Sequence, residues 1–233
     1  MKNFSALLFV AAAVSCLSAA HAGDAIQIDT SSVFNNRPVT TVVDGKLAPM
    51  TGDVDAAGGV ITHGAAKLMG SEDPHALPDD GKFPANAKHA LIILPYATGD
   101  ANSKQARKSR GEDTFSFSVP PKKYSKLWLM TTSGQGPTTI NVEMTYADKT
   151  SQAHTLEVPD WYWELKPTDP YRCYVASDLS KWGPKKQLEK DHHFIFGLDI
   201  QPDPTKTLEK VTVTKTKKGI LGFFGATGEA SNP

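Results

Sequence analysis

Apolar residues recur along this chain with the spacing of strands rather than helices. Phe115, Phe117 and Val119 alternate with Ser116 and Ser118, and Ile140, Val142, Met144 and Tyr146 alternate with Asn141, Glu143 and Thr145. A period of two places like residues on one face of an extended backbone, so each run predicts a half-buried strand. Phe194, Phe196, Leu198 and Ile200 repeat the pattern. The unbroken run Ala90–Leu94 suits a strand covered on both faces. Leu127–Met130 is a further apolar run, and shorter candidates lie at Ala25–Asp29, Val39–Val43, His154–Val158, Leu208–Val213 and Ile220–Phe224. Asp148-Lys149 predicts a tight turn between Tyr146 and His154, the clearest hairpin in the chain. Pro120-Pro121 is expected to end one strand, and the polar tail from Thr227 to Pro233 to fray. About ten strands, with turn signals every ~8–12 residues, describe an all-β sandwich or barrel.

Two segments stand apart from this rhythm. Asp44 to Pro84 is rich in Gly, Pro, Asp and Ala. It is too long to be structureless in a compact domain, so a short strand near Val60-Ile61 or a binding loop is expected there. At the start, Lys2 precedes the apolar run Ala6–Val14, and Ala20-His21-Ala22 resembles a small-residue cleavage site. Residues 1–22 therefore read as a secretory signal peptide, with Cys16 removed along with it. The apolar run is too short to span a bilayer, which needs about 20 residues. The expected mature chain, residues 23–233, is a single β-sandwich domain, secreted or periplasmic and not inserted in membrane.

Charge and cysteine content narrow the possibilities. The leader holds one basic residue, so 24 Lys and Arg face 25 Asp and Glu in the remainder. A nearly neutral chain has no global field to gather nucleic acid or an anionic membrane. The local cluster Lys104, Arg107, Lys108 and Arg110 reads as a solvated loop. Cys173 is the one cysteine after the leader, so no internal disulfide is expected, and a buried, inert thiol is the simplest reading.

Several segments, in order along the chain, resemble one known family. These are Phe34-Asn35-Asn36-Arg37, Leu77-Pro78-Asp79-Asp80-Gly81, Tyr124 to Gly134, Thr145 to Thr150, Val158-Pro159-Asp160-Trp161, Tyr171-Arg172 and Leu198 to Leu208. Together they are similar to the secreted galactose-binding-like jelly-roll β-sandwich domains. Lys149 stands where that pattern has glycine. The resemblance implies a jelly roll associated with carbohydrate binding or glycoside processing. It also implies a structural calcium held by loop oxygens, for which Asp44, Asp53, Asp55, Asp79 and Asp80 are the candidates.

The richest chemistry lies between the strands. Asp160, Trp161, Tyr162, Trp163 and Glu164 are consecutive, with Tyr171 and Arg172 close behind and Trp182 further on. Flat rings stack on the C–H faces of a sugar, while carboxylate and guanidinium groups pair with its hydroxyls. Asp160, Trp161, Tyr162, Trp163, Arg172 and Trp182 are therefore the candidate ligand-binding set, with a glycan or cell-surface polysaccharide as partner. Packing alone also accounts for such rings, Trp161 above all, and an adhesive or structural envelope protein remains open. So does a small hydrolase using Asp160 and Glu164, although one loop does not fix two carboxylates at a useful separation. His192 and His193 are neighbours in a strand pattern, point to opposite faces and make a poor metal pair.

Overall fold

The computed structural model describes residues 25–169, 171–216 and 218–231; the expected leader lies outside them. Fifteen strands form an all-β sandwich. Seven are short: β1 (Ala25–Ile28), β2 (Val39–Val43), β3 (Lys46–Ala48), β4 (Val60–Ile61), β5 (Lys82–Phe83), β6 (Ile92–Ile93) and β7 (Arg107–Ser109). Eight are long: β8 (Asp113–Lys122), β9 (Tyr124–Gly134), β10 (Thr138–Tyr146), β11 (Ser151–Val158), β12 (Arg172–Trp182), β13 (Gln187–Ile200), β14 (Leu208–Lys215) and β15 (Ile220–Ala230). The expected ten strands rise to fifteen because β3, β5 and β7 carry too few positions to show a period, and bulges break the alternation of the longer β12. Among the described residues one short α-helix, α1 (His63–Leu68), and a 3-10 turn at Ser31–Val33 interrupt them.

Two sheets face each other. One has the order β1-β15-β9-β13-β12, with β7 also on β15; the other runs β11-β10-β14-β8. Between them lie Phe115, Phe117, Leu129, Val142, Phe196 and Phe223 with their neighbours, a continuous apolar layer drawn from the alternating runs. The larger sheet is apolar on its outer face too. There Trp128, Met130, Cys173, Val175 and Ile195 meet Val39, Val60, Leu77, Ile92, Leu94 and Tyr96. The loop-rich N-terminal segment is thus the second cover of the sheet, and Val60-Ile61 forms the short strand expected of it.

Several expectations change in the same light. Ala90–Leu94 forms only β6, and Leu91 is exposed, because Ile92 and Leu94 reach the outer layer from a mostly irregular segment. Pro120 and Pro121 do not end β8, which continues to Lys122. That strand lies at a sheet edge, where a missing N–H breaks no ladder. Thr227 to Ala230 do not fray: they pair with β9, and Thr227 is fully buried. The basic cluster is not simply a solvated loop either. Arg107 and Lys108 belong to β7, with Arg107 paired to Asp113 at 2.7 Å and Lys108 paired to Asp53. Cys173 is buried and free, and burial pushes its thiol pKa up to about 11.

The β10–β11 hairpin forms as read, in register from Thr138↔Val158 to Thr145↔Ser151. Its turn holds Lys149 at φ +66°, in the left-handed region. A side chain costs about 1–2 kcal/mol there, partly offset by the greater chain entropy of glycine. Lys149→Gly is therefore expected to stabilise the protein by about 0.5–1 kcal/mol. Urea unfolding checks this, and a midpoint unchanged or lowered refutes the strain.

Candidate functional site

The loop after β11 is built around Asp160. One carboxylate oxygen accepts the Tyr162 N–H at 3.1 Å and the other accepts the Gly136 N–H, while the Asp160 carbonyl accepts the Trp163 N–H at 2.9 Å. The two local bonds close a tight turn, the use to which aspartate beside a loop is well suited, and the Gly136 bond ties that turn to the end of β9. Trp161 then continues the ladder between two separating strands. Its N–H donates to the Ser133 carbonyl at 2.7 Å, and its carbonyl accepts the Phe194 N–H at 2.8 Å. The Trp161 ring is buried, 4.4 Å from the His193 ring. Tyr162 and Trp163 follow on the surface, 39% and 50% exposed.

Beneath Tyr162 lies a group of charges. Lys181 is buried near the end of β12, and its Nζ donates to Asp55 Oδ2 at 2.9 Å, Tyr162 Oη at 2.8 Å and Glu189 Oε1 at 3.2 Å. The Tyr162 hydroxyl in turn donates to Glu189 Oε1 at 3.1 Å. Asp55 reaches this place because Gly59 exchanges two backbone bonds of 2.8 Å with Trp182. A Cβ on Gly59 would lie 2.1 Å from the Pro38 carbonyl oxygen, so the approach needs glycine.

The protonation states follow from these contacts. Burial disfavours the Asp55 carboxylate, but the Lys181 bond and the Ala57 and Gly58 N–H groups outweigh it and hold the pKa below the ordinary value. Burial likewise works against the Lys181 ammonium, and its bonds to Asp55 and Tyr162 reverse the sign, leaving the pKa raised. The Glu189 carboxyl shows the same competition and ends lowered by Lys181 and Tyr162. His193 has no exposed surface; burial lowers its pKa, and Nδ1 bonds the Leu179 carbonyl at 2.8 Å. Its Nε2 lies 3.3 Å from Glu189 Oε2, within ion-pair distance but without hydrogen-bond geometry. His193 is thus neutral near pH 7 and lies between the Trp161 and Tyr162 rings, which are 4.4 and 4.6 Å away.

The predicted residues separate into two sets. Tyr162 and Trp163 offer surface to solvent. Trp161, Asp160 and Trp182 do not: they are buried, and Trp182 packs beside Ile61 and Ala66 with Nε1 donating to Asp73 at 2.8 Å. Large rings bury more apolar area than any other side chain, and here that gain organises the loop and the end of β12. Glu164 is exposed while both Asp160 oxygens are engaged within the protein, so these two do not form a free acid/base pair. Arg172 is far from the Lys181 group, at the other end of β12. Its side chain is 8% exposed, with Glu157 at 3.7 Å and Asp169 at 3.9 Å, and its guanidinium lies 4.6 Å over the Tyr171 ring. Beside that ring is an open groove of about 500 Å³ lined by His154, Thr155, Leu156, Asp199 and Gln201.

The five loop aspartates do not converge. Asp44 and Gly45, at φ +49° and +72°, form the two-residue turn between β2 and β3. Asp53 pairs with Lys108, and Asp55 with Lys181. Asp79 accepts the Gly64 N–H at 2.8 Å, and Asp80 that of Lys82 at 3.0 Å. Among the described residues no group of three or more His, Cys, Asp or Glu is placed to hold a metal ion. The adjacent histidines diverge, His192 outward and His193 inward, across an irregular point of β13 where His192 has φ +70°. Lys181, Glu189 and Asp55 escaped sequence reasoning as a group. They lie on two strands and a distant loop, and no local pattern marks Lys181, which stands between Ser180 and Trp182.

No family model matches the chain, and no curated protein matches it. Among solved structures, one titled "Structure of PfGH50B" superposes with a TM-score of 0.29 at 10% identity, over 55% of this chain and 22% of that chain. The match thus spans about a fifth of the length of that protein, and so loose a superposition carries no argument about chemistry.

The Lys181 group makes a pH-dependent prediction. Lys181→Met leaves the Asp55 carboxylate buried without its cation, at a cost on the order of 3 kcal/mol at pH 7. A lowered folded-state pKa supplies stability that is complete above the unfolded carboxylate value and is lost as pH falls through the folded one. The difference between wild type and variant should therefore narrow below about pH 4, the ordinary carboxylate range. Urea unfolding at pH 7 and pH 3 checks this, and an equal difference at both refutes the Asp55 pairing.

Proposed function

We propose that the protein is an exported, non-catalytic carbohydrate-binding sandwich, with residues 23–233 as one domain behind a cleaved leader and a glycan as its partner in the periplasm or medium. The carrying observation is the exposure of Tyr162 and Trp163 side by side on a turn pinned by Asp160. Sugars stack on such rings, and a surface loop held by many internal bonds loses little entropy when ligand settles on it. The Tyr162 hydroxyl and the half-exposed Glu189 carboxylate are fixed by Lys181 and offer hydroxyl-pairing groups at the edge of the same ledge. The likeness to galactose-binding-like jelly rolls, read from the ordered motifs, agrees with this role and remains part of the proposal.

A glycosidase is less well supported, since Asp160 is engaged on both oxygens and Asp55 is buried against Lys181. Isothermal titration of the exported protein against a panel of polysaccharides tests the binding role. Trp163→Ala should weaken the best ligand by about tenfold, the worth of one ring contact near 1.4 kcal/mol. Trp163 is half exposed, so the unfolding midpoint should stay within about 0.5 kcal/mol of wild type. Unchanged affinity in both Trp163→Ala and Tyr162→Ala overturns the ledge as the site, and release of reducing sugar from the bound polysaccharide overturns the non-catalytic role.

A further inference from the structure

We infer that the site is elongated and takes a chain of several sugar units, running from the Tyr162–Trp163 ledge to the groove at Tyr171. This rests on the carbohydrate-binding reading and assigns it a second contact region. The two regions flank one loop. Tyr162 is bonded to Lys181 and Glu189 at one end of the β12–β13 hairpin, whereas Tyr171 precedes Arg172, which pairs with Leu198 at the other end. Strand β12 has eleven residues, which would extend over about 35 Å if regular and somewhat less with its bulges. A single sugar cannot touch both regions. The eight residues from Trp163 to Tyr171 limit their separation to about 28 Å, a distance a short oligosaccharide covers.

Tyr171 is held as a platform should be. The Arg172 guanidinium covers its ring at 4.6 Å and donates to its hydroxyl, and Glu157 and Asp169 flank that guanidinium. The ring still lines the groove, together with His154, Leu156, Ile200 and Gln201. His154 is itself fixed, its Nε2 at 3.0 Å from the Gln152 amide. A ring with its own hydroxyl and an imidazole beside it suits a neutral, hydroxyl-rich unit. Between the two regions, Glu164, Lys166, Pro167 and Thr168 are exposed, while Leu165 packs against the core.

The test is titration with a ladder of oligosaccharides, from dimer to octamer, cut from the polysaccharide that binds wild type best. Affinity should climb with length and then level off. Tyr171→Ala should abolish the climb, with long oligomers bound about as weakly as short ones, while short oligomers bind it as they bind wild type. Tyr171→Phe keeps the ring and should keep the climb; His154→Ala, which leaves Tyr171 in place, should reduce it. Trp163→Ala should weaken every length. Length-independent affinity in wild type, or an undiminished climb in both Tyr171→Ala and His154→Ala, overturns the elongated site while leaving the ledge intact. Failure of every oligomer and polysaccharide to bind wild type removes the carbohydrate reading and this inference with it.

Discussion

A sheet that is apolar on both faces has to be covered twice, and this requirement organises the molecule. Strand β9 shows it most plainly. Leu127 and Leu129 face the four-stranded sheet, while Trp128 and Met130 face away from it into the layer formed with Val39, Leu77, Ile92 and Tyr96. Removing apolar surface from water contributes roughly 25 cal/mol per Å², and neither face of β9 could be left wet without losing much of that gain. The four-stranded sheet has no such need. Its outer side presents Thr114, Ser116, Thr212, Thr214 and Asn141 to solvent, with cross-strand hydroxyl bonds of 2.9 and 3.1 Å.

The second cover also builds the charged group under Tyr162. A segment that lies across the outer face must meet the end of β12 somewhere, and it does so at Gly59 and Trp182. Asp55 is delivered to Lys181 by that contact, some 126 positions away in sequence. A buried ammonium needs its partners: four oxygen and aromatic neighbours surround Lys181, and Trp161 and Tyr162 are two of them. The exposed ledge and the hidden ion pair are consequently one construction. Tyr162 is fixed at the surface because its hydroxyl completes the coordination of a charge that packing has taken out of water.

Much of this was legible residue by residue. The two-residue period identified β8, β10 and β13, since their inward positions enter the core between the sheets without exception. The β10–β11 turn was equally plain, because Asp148 and Lys149 lie between two alternating runs. The cover was not legible as such. Residues 44–84 bury isolated side chains, such as Met50, Val54 and Leu77, outside the strands, and isolated contacts have no period. The same limit acted at the site. Aromatic density drew attention to residues 160–164, but composition cannot tell a ring that fills the core from one that meets solvent. Trp161 and Trp163 are two positions apart and lie in opposite environments because the Asp160 turn directs them differently. Nothing local marks Lys181 as buried, since its partner carboxylate is remote in sequence.

The buried thiol has a consequence of its own. Cys173 sits against Gly197, where even an added methyl would stand 3.0 Å from its sulfur, and its raised pKa keeps it protonated at neutral pH. In an oxidising compartment it offers no partner for mixed disulfides while the strands stay closed. Its side chain lies in the layer between the larger sheet and the N-terminal cover, so the rate at which an alkylating reagent marks this atom becomes a built-in clock for local opening there.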